Sequence, residues 1–181
     1  MFFGDATCFA IEAHHEPEAG APYGVWSRMC LHINGYAFGN ISDPYLIDGP
    51  ISELYRIATR HHPLWDHAFD ELDALGIFEL LDAAIWRDDD RPLDLIQKDS
   101  KRYAPYIFLN NWGEQFDCVG SCFIVQPNSV YRIIWQDDSG VHRSVDVPRD
   151  VFVSVVLAAH EWYAETLRTH RGNRNNEPDW K

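Results

Sequence analysis

The densest run of groups able to bind a metal or move a proton is His61-His62-Pro63-Leu64-Trp65-Asp66-His67, three imidazoles and a carboxylate in seven residues. Imidazole and carboxylate are ligands for zinc and related ions, and such a run could serve a small metal-dependent hydrolase. Pro63 divides it, and no helix carries three histidines on one face across that break. The run is therefore expected to dress a junction between helices and to hold no metal. His160-Glu161 begins like the zinc-protease motif His-Glu-x-x-His, whose two histidines share an ion one helical turn apart. Four residues after His160 stands Ala164, so the motif fails.

Nucleophile signals are equally incomplete. Gly120-Ser121-Cys122 lacks the Gly-x-Ser-x-Gly pattern and falls in a segment that reads as strand, not as a sharp strand-to-helix elbow. Cys118 and Cys122, four apart on a strand, would share a face yet lie too far apart for one disulfide. With Cys8 and Cys30 they are expected to stay reduced and mostly buried, because no Cys-x-x-Cys pair is present and a chain of 181 residues folds without disulfides. Asp88-Asp89-Asp90 offers hard oxygen donors but not the spaced ligands and turn glycine of a calcium loop. No catalytic residue, metal or cofactor is expected.

The elements that must position these groups follow from periodicity. Thr7 to Ala13 reads as a strand, and Val25 to Ile33 as another with apolar residues at even spacings. Asn34-Gly35 then suits a tight hairpin turn before Tyr36 to Phe38. Ile51, Leu54, Tyr55, Ala58 and His61 recur at helical spacing, and Pro63 is expected to end that helix. Trp65, Ala68, Phe69 and Leu72 suggest a second over 64–75, and Ile77, Leu80, Leu81, Ala84 and Ile85 a third beyond Gly76. Strands are expected again at 105–109, 118–126, 130–136 and 141–147. Asp137 to Gly140 forms a hairpin turn, and a long helix runs from about Pro148 to Thr169. Hairpins at both ends and helices between and after them predict an α+β fold: an antiparallel or mixed sheet with a helical middle and a long C-terminal helix packed on it. One domain is expected over 1–171, with a polar tail at 172–181.

Charge narrows the partners. The formal net charge is −13, which repels phosphate backbones and anionic membrane surfaces. No apolar run approaches the roughly 20 residues that cross a bilayer, and the opening residues lack the basic and apolar regions of a secretion signal. A cytoplasmic protein that binds neither nucleic acid nor membrane is expected. Residues 64–94 carry ten acids against two bases, a net of −8. This stretch supplies the candidate partner-binding residues Asp66, Asp70, Asp73, Trp86, Asp88, Asp89, Asp90 and Asp94, with the last four acids expected in a loop. Trp86 offers a large ring of the kind that anchors interfaces.

Met1-Phe2-Phe3-Gly4-Asp5, then Phe9-Ala10-Ile11-Glu12, and the later Ile33-Asn34-Gly35 resemble the immunity protein 42 family of bacteria. The resemblance implies a non-catalytic protein that binds and neutralises the C-terminal domain of a cognate polymorphic or contact-dependent growth-inhibition toxin. It implies no catalytic residues, and Gly4-Asp5 read as a structural turn. A nuclease-like basic toxin would suit so acidic an inhibitor. An acidic adaptor, or a hydrolase built on His61–His67, are the other readings. Elemental analysis of chain purified without added metal is expected to show no stoichiometric zinc. Zinc that disappeared on replacing His61, His62 and His67 would establish the hydrolase instead.

Overall fold

The computed structural model describes residues 1–17, 24–87, 91–110, 112–116, 120–137 and 139–174, with side chains through 170. The chain divides into two compact units, one comprising Met1–Thr59 and Asp150–Lys181, the other Arg60–Arg149.

In the first unit, strands β1 (Phe2–Asp5), β2 (Phe9–His15), β3 (Trp26–Ile33) and β4 (Tyr36–Phe38) lie side by side in that order, and β5 (Tyr45–Leu46) also pairs with β3. All pairings are antiparallel. The Asn34-Gly35 turn forms as expected, with φ of 49° and 82° at its two residues, the left-handed pair that matches the twist of the flanking strands. Strand β1 was not expected. Its Asp5 accepts hydrogen bonds at Oδ1 from the Thr7 amide (2.8 Å) and hydroxyl (2.7 Å), turning the chain into β2. Thus Thr7, expected inside a strand, lies in the turn.

Two helices complete this unit. Helix α1 (Asp48–Ala58) buries Pro50, Ile51, Leu54, Ile57 and Ala58. It stops short of His61 and Pro63, and Thr59 closes it by donating from Oγ1 to the Tyr55 carbonyl at 2.7 Å. Helix α4 (Arg149–Arg174) buries Phe152, Val155, Val156 and Ala159 along its first turns. Phe152 meets Phe9 of β2 at 4.7 Å between ring centroids. Trp162, further along the same helix, is half-buried and rests on Phe3 at 5.9 Å. Gly4 adopts φ +96°, and a Cβ there would stand 2.3 Å from the Phe9 carbonyl oxygen and 2.7 Å from Val155 Cγ2. The Phe-Phe-Gly-Asp opening is thus structural: only glycine lets the backbone take that turn and α4 approach so closely.

The second unit holds an antiparallel sheet of β6 (Cys122–Val125), β7 (Val130–Gln136) and β8 (His142–Pro148), with helices α2 (Ala74–Ile85) and α3 (Leu93–Tyr103). The turn joining β7 and β8 is gathered by Asp137, whose Oδ1 accepts from the Ser139 and Val141 amides, both at 3.0 Å. The Ser139 hydroxyl, those amides and Arg143 together hold its carboxyl down at about 2.

Three expectations fail here. The segment 64–75 is no α-helix but a single 3-10 turn, His67–Phe69, capped by Asp66, because Asp73 takes the capping place of α2 and ends the preceding register. The strand at 105–109 is a 3-10 turn over Ala104–Tyr106 followed by one bridge from Ile107 to Phe123; Pro105 and the positive φ of Leu109 (66°) prevent a ladder. Asp94, expected in a loop, stands in the first turn of α3. Of the strand expected at 118–126, residues 118–119 lie outside the described residues, Gly120 and Ser121 are not in a strand, and β6 spans Cys122–Val125.

Phe152→Ala is expected to destabilise the chain by about 3–5 kcal/mol by opening a cavity against Phe9. Gly4→Ala should cost about 2–4 kcal/mol through left-handed strain plus overpacking. Trp162→Ala should cost clearly less than Phe152→Ala. Denaturant melts of the three variants check this order.

Candidate functional site

The candidate residues gather around α2, α3 and the irregular chain before them, and the structure gives them unequal work. Asp66 accepts from the Ala68 amide at 2.9 Å and takes two hydrogen bonds from Arg102, Nε at 2.8 Å and Nη2 at 2.5 Å. The Arg102 guanidinium holds the Asp66 carboxyl below its ordinary value, against a smaller opposing effect of burial. Arg102 also lies over the Tyr103 ring, 5.0 Å from its centroid. Tyr103 and Tyr106 flank the fully buried Phe69. One ion pair therefore fastens the last turn of α3 to the capped turn at 67–69.

Asp70 is occupied locally. Its Oδ1 accepts from Trp65 Nε1 at 2.8 Å and its Oδ2 lies 3.2 Å from His67 Nδ1, contacts that lower its pKa, the Trp65 bond foremost. Asp73 caps α2 by accepting from the Gly76 amide at 2.8 Å, where a carboxylate also faces the positive end of the helix dipole. These three acids, expected as partner contacts, are thus also structural parts, although Asp70 and Asp73 keep exposed side chains.

Trp86 and Asp94 are different. Trp86 ends α2 with 45% of its surface exposed, and Asp94 is exposed at the start of α3. Asp88, Asp89 and Asp90 lie outside the described residues. Arg91 joins the two helices, donating to Asp99 Oδ2 of α3 at 2.9 Å and to the Ala83 carbonyl of α2 at 3.2 Å. Beside it stand two residues that the sequence reading passed over, Leu93 and Leu95, exposed by 69% and 45%. Their spacing was the available signal, since residues two apart in a helix point nearly opposite ways and cannot both be buried by one neighbour. The tip of the α2–α3 hairpin thus presents one aromatic and two aliphatic side chains within the most acidic stretch of the chain.

The other chemistry-bearing groups do not converge. His61 and His62 are exposed, and the His67 side chain is 98% exposed. Among the described residues no three His, Cys, Asp or Glu side chains gather to hold a metal ion. Cys122 is fully buried, and burial pushes its thiol up; Cys118 lies outside the described residues. Ser121 donates to Asp82 at 2.5 Å. His160 is half-buried and stacks on Tyr55 at 4.0 Å. No helix among the described residues is long and apolar enough to cross a membrane.

These features define an acidic α+β protein whose candidate residues make a surface. The profile of the immunity protein 42 family matches residues 1–162, and the chain belongs to that family. It is an immunity protein, and its function is to neutralise a cognate bacterial toxin. Its fold is similar to that of CdiI from Burkholderia dolosa AUO158, at 15% identity and a TM-score of 0.60, over 90% of this chain and 99% of that one. No curated protein matches the sequence.

Because the Asp66 carboxyl is held below its free value of 3.8, its pairing with Arg102 contributes stability above that pH and loses it as pH falls through the lowered folded value. Melting temperatures between about pH 5 and pH 2 should therefore fall less steeply in Asp66→Asn than in the parent. Equal slopes would show that the pair contributes nothing.

Proposed function

We propose that the chain silences its toxin by binding alone, in the cytoplasm of the cell that makes it, and that the α2–α3 tip meets a basic toxin domain. The observation that carries this reading is the exposure of Trp86, Leu93 and Leu95 by 45%, 69% and 45%, the first two inside the segment 64–94 with its net charge of −8 and the third next to it. Apolar groups held in water at an ordered helical tip lower the free energy when a partner covers them. The surrounding carboxylates steer a cationic partner towards them.

Asp88, Asp89, Asp90 and Asp94 act nearest the contact, and Asp70 and Asp73 add to the same field. Asp66 shares that field least, its charge being matched by Arg102, and serves by keeping α3 in place. An inhibitor of this kind needs no catalytic group, and a negative surface suits the cleft of an enzyme acting on an anionic substrate. Likeness to CdiI of Burkholderia dolosa supports a contact-dependent growth-inhibition setting.

Charge and anchor separate kinetically. Replacing Asp88, Asp89, Asp90 and Asp94 together by Asn should slow association with the cognate toxin domain at low salt and flatten its ionic-strength dependence. Trp86→Ala should leave association nearly unchanged and speed dissociation by on the order of tenfold or more. Stopped-flow or surface-binding kinetics read both. A four-fold Asn variant that associates at the parent rate at every salt concentration would place the toxin elsewhere.

A further inference from the structure

The outer edge of β8 is an open row of backbone groups, and its register can be read. Asp137 donates to the Val141 carbonyl at 3.0 Å and Arg149 to the Ser129 carbonyl at 2.9 Å, so the odd-numbered residues of β8 face β7. The amides and carbonyls of His142, Ser144 and Asp146 therefore point away from the sheet. Their side chains are exposed, whereas Val147 is buried. Among the described residues no hydrogen bond reaches those three amides. Seven residues pair with β7 without a bulge, and no lysine or inner proline blunts the edge; Pro148 only ends it.

We propose that this edge pairs with the same edge of a second copy of the chain, antiparallel about a two-fold axis at Ser144. That register sets Ser144 opposite Ser144, and His142 opposite Asp146 on both sides of the axis. Each outward amide then meets an outward carbonyl, six hydrogen bonds in all, and none is left over. Directly opposed side chains of an antiparallel pair share a face, so each His142 imidazole meets an acid that Arg132 already holds, at 2.7 and 2.8 Å. The interface is isologous, as a closed dimer requires, and extends two three-stranded sheets into one of six strands. A strand-edge contact falls below the roughly 1,200–2,000 Å² of a permanent interface, so the dimer is reversible. This inference is independent of the toxin-docking tip.

Sedimentation of the full chain from about 1 μM to about 1 mM is expected to show the mass rising from 20.9 kDa towards twice that value. Ser144→Lys and Ser144→Glu each place like charges across the axis and should remain at 20.9 kDa while melting like the parent. An equimolar mixture of the two should regain the dimer, because the axis then joins opposite charges. A parent that stays monomeric throughout overturns the proposal. So does a dimer that survives in both variants, or a mixture that stays monomeric. Loss of toxin binding by the Ser144 variants, with self-association unchanged, would assign the edge to a toxin strand instead.

Discussion

Shortage of cations is the constraint on which the arrangement of this chain depends. Against 28 acids it has 15 lysines and arginines, so nearly half of the carboxylates can find no lysine or arginine of their own and must stay in water. Where an arginine does meet an acid, it fastens elements together. Arg102 joins α3 to the turn capped by Asp66, Arg91 joins α3 to the end of α2, and Arg132 ties β7 to β8 through Asp146. Exposed ion pairs of this kind add little stability individually. Their effect here is geometric, most plainly at α3, which buries only Tyr103. The cores that carry the free energy are elsewhere, in Phe9, Met29, Leu31 and Phe152 of one unit and Phe69, Phe123 and Tyr131 of the other.

That division explains which parts of the fold were legible. The β3–β4 hairpin, helices α1, α2 and α4, and the strands β7 and β8 are written in apolar periodicity and turn residues, both local signals. Helix α3 was missed because Leu93–Tyr103 buries only Tyr103 and is held by Arg91, Arg102 and Asp99, partners that no periodicity displays. The segment 64–75 misled in the opposite sense. Its apolar residues fall at helical spacing, yet Asp66, Asp70 and Asp73 bind backbone amides and the Trp65 ring nitrogen and fold it into caps and turns. Short polar side chains compete with the helix for those same amides, and composition does not reveal which wins.

The candidate site shows a similar mixture. Its acidity was plain from counting, and Trp86 stands exposed at the end of α2. Counting could not tell a carboxylate that caps a helix from one that stands free. It treated Asp66 and Asp94 alike, although one is bound by a guanidinium and the other faces water at a helix start. Leu93 and Leu95 went unnoticed because an acidic run draws attention to its charges. Side chains of that kind, kept in water by an ordered helix, are the more specific sign of a surface shaped to be covered.

One edge from each sheet, β1 and β8, extends the argument from charge to backbone. At β1 the strand is only four residues long and carries Gly4 at φ +96°, a residue that weakens a strand, so another strand finds little to follow. That protection comes without extra cost, since the same glycine admits α4 to the sheet. At β8 neither device operates: the ladder is regular over seven residues and its outward side chains are a histidine, a serine and an aspartate. An edge left regular over seven residues is open to the pairing proposed for it. The order of its side chains, basic-capable, neutral, acidic, reads as its own complement when reversed. Two-fold registers centred on Arg143 or Asp146 would oppose like charges, and one centred on Val145 would set Pro148, with no amide to donate, against His142, so the sequence favours Ser144 as the axis.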